Sequence, residues 1–303
     1  MEFGKLENTA GVDIRLPPDP PENAIFLKNL PPRTEPPRLF LGATGWAMKE
    51  WVGSIYPEKA RSSDFLKHYS LQFNTIELNT THYRIPEKAT VLSWKNAVPT
   101  DFRFCPKVPQ VISHSRDLGF GSGELRAFCE AILHFEETMG CIFLQLPPHF
   151  SLADLPILER FLENWPSAIP LAVEVRHESF FQKKEAVHFF QLLENQRVAP
   201  CLSDVAGRRD VLHLRLTSER ILIRFMSSGE NSTTDLERAD DWAARLADWF
   251  AAGLREVFFF AHTPDNVRAP EMAMILEEKF RAAVPDLEIR GPRFLQRSQG
   301  SLF

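Results

Sequence analysis

The chain has 303 residues, of which 44% are hydrophobic and 25% are charged, and its formal net charge at pH 7 is -5. This composition is typical of a folded globular protein with one large or two ordinary domains. It excludes a disordered chain and a general attraction to nucleic acid or anionic membranes, although a local basic patch is compatible with it. No apolar run approaches the roughly 20 residues that span a bilayer.

The four cysteines are scattered through apolar runs and show no CxxC spacing: Cys105, Cys129, Cys141 and Cys201. A large chain with this pattern favours buried structural thiols over catalytic or metal-binding ones. The N-terminus contains acidic residues and no apolar stretch typical of a secretory signal. We therefore expect a reduced, cytoplasmic protein.

Residues 1–37 form a proline-rich arm, which cannot contain a long helix. Only residues 23–30 suit a short helix or turn. The arm is expected to pack on the rest of the protein through Ile25, Phe26 and Leu30. The alternative is a partner-binding role of the PxxP type.

From residue 38 onward the chain alternates between apolar runs and helical segments. Eight runs suit buried parallel strands: Leu39–Ala43, Asn74–Leu78, Phe102–Lys107, Cys141–Leu146, Leu171–Val175, Val198–Ser203, Ile221–Phe225 and Val257–Ala261. Helices are predicted near Ser63–Tyr69, Arg126–Met139, Gln182–Asn195, Thr234–Gly253 and Ala269–Ala283. This order predicts an α/β protein that forms one (β/α)8 TIM barrel over residues 38–303. No GxGxxG follows the first strand, which argues against a dinucleotide-binding sheet.

The predicted barrel has one irregular connection. Between strands 6 and 7, residues 206–210 resemble a turn and Val211–Leu216 is too short for a full crossover helix, so we expect this helix to be incomplete or missing. Catalytic groups of such barrels lie at the C-terminal ends of the strands. The strand ends therefore supply the candidate site residues.

Three strand-end residues are candidate catalytic groups, namely Glu77, Lys107 and Glu174. Further polar or aromatic residues at the strand ends are candidate substrate contacts: Trp46, Asn79, His82, Tyr83, Arg84, His114, Gln145, Arg176, His177, Asp204, Arg224, His262 and Asn266. Because a buried charge must be paired or must surround a polar pocket, their recurrence favours a ligand pocket over a purely structural ion-pair network.

Two chemistries fit these residues. In the first, Lys107 and one of the carboxylates Glu77 or Glu174 act as general acid and base on a small phosphorylated or carbohydrate-like substrate. Arg176 and Arg224 would hold its anionic group.

In the second, a divalent metal is held by strand-end carboxylates and an imidazole, namely Glu77, Glu174, Asp204 and His262. No HExxH-type spacing supports this alternative, and a neighbouring lysine would repel the cation. We therefore predict no cofactor and keep a divalent metal as the alternative. Metal-assisted isomerase, lyase or endonuclease chemistry would follow from it.

The third hypothesis is a non-catalytic module that binds a protein or nucleic acid through the arm. The sequence carries no signal for an oligomeric state.

Several motifs resemble those of the YecE-like family, a domain of unknown function. They are Gly42-x-x-Gly45-Trp46, Trp51-x-Gly53-x-x-Tyr56-Pro57, Glu77-Leu78-Asn79-Thr80-Thr81-His82-Tyr83-Arg84, Phe102-Arg103-Phe104-Cys105-Pro106-Lys107, Leu144-Gln145-Leu146-Pro147-Pro148 and Glu174-Val175-Arg176-His177-x-Ser179. The resemblance covers residues 39–280 and implies a TIM-barrel fold with a pocket, without a reaction. The chain departs from the pattern at Phe225-Met226, where relatives usually have His-Gly, and at Ala261-His262-Thr263, where they usually have Phe-Asn-Asn.

Overall fold

The computed structural model describes residues 13–182, 184, 186–205, 209–227 and 233–295. Its centre is a parallel barrel whose strands are β1 (Arg38–Ala43), β2 (Thr75–Leu78), β3 (Arg103–Pro106), β4 (Ile142–Gln145), β5 (Leu171–Glu174), β6 (Ala199–Val205), β7 (Arg220–Met226) and β8 (Glu256–His262). A short strand, β9 (Glu288–Ile289), adds to β1. All eight predicted strands are confirmed, with ends displaced by at most two residues.

The sheet order is β3-β2-β1-β8-β7-β6-β5-β4, and every pairing in it is parallel. The ring closes between β3 and β4 through two isolated bridges, Phe104 with Met139 and Lys107 with Phe143. Two backbone hydrogen bonds cross this seam, from the Val108 amide to the Phe143 carbonyl at 3.0 Å and from the Gly140 amide to the Phe104 carbonyl at 2.7 Å. The predicted TIM-barrel architecture is therefore confirmed.

The helices cover the outside of the barrel. They are α1 (Pro21–Lys28), α2 (Phe65–Gln72), α3 (Thr80–Tyr83), α4 (Lys88–Asn96), α5 (Gln110–Ser113), α6 (Glu124–Ile132), α7 (Leu155–Asn164), α8 (Val187–Asn195), α9 (Thr233–Ala251) and α10 (Ala269–Ala283). The described residues between β6 and β7 contain a short 3-10 helix, Arg209–Val211. This agrees with the predicted incomplete helix between the two strands.

Two predicted helices are wrong in their extent: α8 begins at Val187 rather than at Gln182, and the segment 126–139 is not one helix. The segment 126–139 divides after α6, and residues Leu133–Thr138 form a 3-10 helix in which Glu136 has a positive φ of 47°. The carboxylates of Glu136 and Glu137 both bind the ammonium of Lys95 on α4. These ion pairs connect the turn to α4.

The barrel interior is filled by alternate residues of the strands, because successive side chains of a strand point to opposite faces. The middle of the interior is apolar: Phe40, Cys105, Cys141, Phe143, Ala172, Ala199, Cys201, Leu222, Phe258 and Phe260. All four cysteines of the chain are buried and unpaired, as predicted. Above and below this apolar layer the interior positions become charged.

The described part of the arm contacts the barrel through one face of α1. The amide of Asn23 donates to the Leu214 carbonyl at 2.7 Å and accepts from the Leu216 amide at 2.8 Å. Leu27, four residues on, is buried on the same face. Ile25 was expected in this contact but is 65% exposed, because it lies on the opposite face of the helix.

Residues 1–12 of the arm lie outside the described residues. Within the described ranges, no helix is both long and apolar enough to cross a membrane.

Candidate active site at the barrel mouth

The end of the barrel where the strands have their C-termini is called the mouth here. Its inward-facing charged and polar side chains form one connected set, the mouth network: Glu77, Lys107, Gln145, Glu174, Arg176, Arg224 and His262. They come from six strands or strand ends. All of them except Glu77, which follows Thr75, lie two residues beyond an inward-facing residue of the apolar layer or beyond another network residue. The barrel geometry therefore brings together residues that are far apart in the sequence.

Arg224 on β7 is the centre of the network. Its Nε and Nη2 bind both oxygens of Glu77 at 2.9 and 3.0 Å, and its Nη1 binds Glu174 Oε2 at 2.9 Å. The side chains of Glu77, Glu174 and Arg224 are 0%, 1% and 8% exposed. Removing such groups from water costs several kcal/mol per ion, which only close pairing offsets.

Each carboxylate has a further partner. His262 Nε2 lies 2.8 Å from Glu77 Oε2, and Asn79 donates to Glu77 Oε1 at 2.9 Å. Arg176 Nε donates to Glu174 Oε1 at 3.0 Å. Both carboxylates are therefore held in fixed positions by several donors.

The pKa values of the two carboxyls follow from these contacts. Burial raises the pKa of Glu77, but the charges of Arg224 and His262 offset that effect and hold it well below its usual range. Burial also raises the pKa of Glu174, while Arg176, Arg224 and Lys107 together lower it to about 2. Both groups are ionised at neutral pH and are weak bases there.

Lys107 differs from the other charged members of the network. Its Nζ donates to Gln145 Oε1 at 3.0 Å, and that oxygen also accepts from Arg176 Nη2 at 3.0 Å. Lys107 forms no ion pair with a described carboxylate, although its side chain is almost buried at 8% exposure. Burial, followed by the repulsion of Arg224, lowers the pKa of Lys107 to about 8 despite the attraction of Glu174.

The charge of the network is unbalanced. Counted over the described members of the network, three cationic side chains, Lys107, Arg176 and Arg224, share the space with two carboxylates, so one positive charge remains even without His262. The ring of Phe143 lies beneath both Lys107 Nζ, at 5.9 Å, and Arg224 Cζ, at 5.7 Å. An excess cation above an apolar floor favours the binding of an anionic group.

Two histidines lie beside the network at the seam. His82 Nδ1 is 3.3 Å from the Val108 carbonyl, and the rings of His82 and His114 are 5.7 Å apart. Burial and the charge of Lys107 lower the pKa of His82 to about 4 and also lower the pKa of His114. Both imidazoles are therefore neutral at pH 7 and extend the polar wall next to Lys107.

Asp204 does not join the network, which corrects its predicted place in the pocket. It points outward from β6, where its carboxylate accepts from Trp242 Nε1 at 2.6 Å and pairs with Arg238 at 2.9 Å, both on α9, and with Arg209. The physical reason is alternation along the strand: Ser203 faces inward, so Asp204 faces the helices. These three partners make Asp204 a buried anchor for α9.

Other predicted contacts lie at the rim. Tyr83 is 80% exposed, Arg84 is exposed, and Trp46 packs edge-on against Trp94 with ring centroids 5.9 Å apart. His177 accepts from the Ser179 amide at 3.2 Å and so caps a 3-10 helix. Asn266 lies in a turn with a φ of 60°. The network does not include these side chains.

The sequence reasoning missed Ser203. Its side chain faces the interior beside Arg224, which pairs with it in the ladder. Among the described residues its hydroxyl has no hydrogen-bond partner, although Ser203 is only 4% exposed. Residues 198–203 carry no alternation of polar and apolar side chains, so what identifies Ser203 is its register with Arg224, which the structure supplies. An unpartnered buried hydroxyl in the mouth is a ready hydrogen-bonding group for a ligand.

The described residues do not offer a metal-binding cluster. No group of three or more His, Cys, Asp or Glu in those ranges is arranged to hold a metal ion. The set proposed from the sequence is separated because Asp204 faces away from Glu77, Glu174 and His262.

Two cavities of about 260 and 300 Å³ open at the opposite end of the barrel, around Arg38. They are lined largely by charged side chains that are partly exposed and mostly paired with one another. The mouth network is buried and its charged groups are held in fixed positions by several hydrogen bonds, whereas the groups around these cavities are partly exposed to water. The mouth therefore remains the candidate site.

Comparisons with known proteins agree with the fold. The family model described as "Protein of unknown function DUF72" matches residues 40–295. The UPF0759 protein YecE of Escherichia coli strain K12 is 30% identical over 268 residues, which cover 82% of this chain and 95% of that protein. The UPF0759 protein YunF of Bacillus subtilis is 26% identical and covers 67% of this chain and 75% of its own length.

Solved structures give the same result. A DUF72 family protein from Thermotoga maritima has a TM-score of 0.60 at 23% identity, covering 82% of this chain and 99% of its own. One from Enterococcus faecalis has a TM-score of 0.60 at 20% identity, covering 85% and 99%. At these identities the likeness concerns the fold alone.

Proposed function

Because the chain belongs to the DUF72 family, which carries a barrel fold without an assigned reaction, we propose its function from the chemistry of the mouth. The protein binds a small anionic molecule, phosphorylated or carbohydrate-like, at the C-terminal ends of the strands. Lys107 carries the proton transfer of a general acid–base reaction on that molecule. The four buried, unpaired cysteines indicate a reducing compartment, and we place this activity in the cytoplasm.

One observation carries this proposal: Lys107 is a nearly buried cation whose described contact is an amide oxygen, while the neighbouring arginines are paired with carboxylates. A purely structural network would be expected to balance its charges, because an uncompensated buried charge is costly. An anionic ligand would supply the missing charge. In the free protein, the unbalanced positive charge destabilises the fold. Such a destabilising charge is typical of sites that bind a ligand.

The assignment of roles follows from the proton affinities. Glu77 and Glu174 are held ionised by their partners and would position the cations rather than accept a proton. Lys107, with a pKa near 8, exists in both protonation states near neutral pH and can therefore give or take a proton. Arg176 and Arg224 orient the anion and the lysine.

Thermal unfolding with added anions tests the proposal. Inorganic phosphate, sugar phosphates, nucleotides and small carboxylates would each be added to wild type, to Lys107→Met and to Arg103→Met. Arg103 is the matched control, because it is a half-buried cation without a described ion pair at the other end of the barrel. A ligand at about 100 times its Kd stabilises the folded state by about 2.7 kcal/mol.

We expect at least one anion to raise the unfolding temperature of wild type and of Arg103→Met, with the increase lost in Lys107→Met. Equal increases in all three proteins, or none in any of them, would contradict the proposal.

A further inference from the structure

The amine of Lys107 has a polar environment that suits its neutral form. A lysine ammonium has three N–H donors, but the described residues offer Nζ a single acceptor, Gln145 Oε1 at 3.0 Å. A neutral amine that donates one hydrogen to this oxygen keeps its lone pair directed elsewhere. Gln145 thus fixes the orientation of the nitrogen while leaving it able to react.

The charges around Lys107 agree with this state. When Lys107 is neutral, Arg176 and Arg224 balance Glu77 and Glu174, so the network has no net charge apart from His262. The titratable side chains that face Lys107 are these four together with His82 and His114. A lysine that is desolvated and placed beside other cations is a known form of activated nucleophile.

We propose that Lys107 is a covalent nucleophile that forms an imine with a small aldehyde or ketone bearing an anionic group. This inference rests on the proposed function, because it gives the anion-binding site a substrate class. A carbonyl group next to a carboxylate or near a phosphate would place its anion toward the arginines and its carbon against Nζ.

Imine formation between Lys107 and the carbonyl compound needs no further reactant. The neutral Nζ adds to the carbonyl carbon, and the electron pair of the C=O bond moves to the oxygen, which takes up the proton lost by nitrogen. The resulting carbinolamine loses water and leaves a C=N bond between substrate and Lys107. Protonation of this imine adds one positive charge to the network, which stabilises negative charge that develops at the adjacent carbon. Nothing is oxidised or reduced in these steps.

Reductive trapping tests the proposal on the wild-type protein. The full chain is incubated at pH 7 to 8 with glyoxylate, pyruvate or glyceraldehyde 3-phosphate in the presence of cyanoborohydride, which converts an imine into a stable secondary amine. Peptide mapping by mass spectrometry then compares Lys107 with the exposed lysines Lys59, Lys67 and Lys88 of the same molecules. Because these internal controls are in the same sample, the comparison does not depend on a variant that folds.

We expect Lys107 to be modified at least about tenfold faster than the exposed lysines, since a far larger fraction of it is neutral at this pH. The rate should increase as the pH approaches 8. In Lys107→Met the dominant adduct should disappear, with the slow surface modification unchanged.

Modification of Lys107 at the same rate as Lys59, Lys67 and Lys88 would overturn the imine proposal. If anions still stabilise the protein in a Lys107-dependent way, only the covalent role fails and the proposed function stands. If neither trapping nor stabilisation depends on Lys107, both fail.

Discussion

The two ends of the barrel interior both carry charged side chains, but these side chains differ in their exposure to water. At the N-terminal end, Glu256 pairs with Arg38 at 2.5 Å and with Arg220 at 2.9 Å, and the arginine side chains are 38% and 30% exposed. At the mouth, Glu77, Glu174 and Arg224 are at most 8% exposed. Water therefore reaches the arginines of the first set, where Glu256 itself is 14% exposed, and is largely excluded from the second.

This difference separates a structural ion-pair layer from a candidate site. Exposed pairs contribute about 0–1 kcal/mol to stability and cost little to form. Buried ions are expensive, and a buried set with one cation in excess is more expensive still. The apolar layer between the two ends, including the stacked rings of Phe40 and Phe258 at 4.7 Å, keeps them independent.

The largest effect is expected when the central arginine of each end is removed. Arg224→Met should lower the free energy of unfolding by about 3–5 kcal/mol, because it leaves two buried carboxylates without their main partner. Arg220→Met should lower it by about 0–1 kcal/mol, since Arg38 still pairs with Glu256. Chemical denaturation of both variants measures the difference, and equal losses would remove the distinction between the two ends.

Acid should weaken the mouth through Glu174. Its pKa is lowered from 4.5 to about 2 in the folded protein, so its ionised form stabilises the fold above pH 4.5, and that contribution is lost as the pH falls toward 2. A shift of this size corresponds to about 3 kcal/mol. Denaturation curves between pH 5 and 2 should show this loss in wild type and in Glu256→Gln. A Glu174→Gln variant that keeps the same acid dependence would contradict the assignment.

Lys107→Met should stabilise the protein at pH 7 by about 1–3 kcal/mol, because it replaces an uncompensated buried cation by an apolar side chain of similar volume. The folded-state pKa near 8 lies below the ordinary value of 10.5, so the unfolded chain binds more protons between these values and wild-type stability should rise from about pH 8 to 10.5. Lys107→Met should lose this rise and Arg103→Met should keep it. A less stable Lys107→Met would instead identify Lys107 as a structural cation.

The smallest effect on stability is expected at Ser203. Ser203→Ala removes a buried hydroxyl that has no partner, so the free energy of unfolding should change by less than about 0.5 kcal/mol or increase slightly. If the hydroxyl serves a ligand, the anion-dependent increase in unfolding temperature should nevertheless decrease. Scanning calorimetry with and without the stabilising anion measures both quantities, and an unchanged increase would show that Ser203 does not contact the ligand.

The strands of the barrel could be predicted because long apolar runs separated by helical segments have few other solutions. The direction of each side chain could not, because strands buried on both faces lack an alternation of polar and apolar residues. Asp204 illustrates this: nothing in residues 198–203 shows which neighbour faces inward, and the choice depends on Arg238 and Trp242 of α9. The helix α7 was not among the predicted helices; its Pro156 lies in the first turn, where a helix tolerates proline.

The membership of the mouth network was largely predictable, but its pairing was not. Glu77, Lys107 and Arg224 stand at the ends of predicted strands, so the fold alone brings them together. Which carboxylate each cation binds depends on the stagger of the strands around the ring. Lys107 lies close enough to Glu174 to interact with its charge, but its hydrogen bond goes to Gln145, a choice that no sequence pattern encodes.

The seam between β3 and β4 gives the barrel a preferred line of opening. Elsewhere neighbouring strands are joined by continuous ladders, but here two isolated bridges complete the circle, and one of them includes Lys107. Thermal fluctuations that separate β3 from β4 would widen the cylinder on the side that carries Lys107, without disturbing the carboxylates held by Arg224. Amide protons of Val108 and Gly140 should therefore exchange with solvent deuterium earlier than those of β7 and β8, and entry of a molecule to Lys107 would follow the same motion.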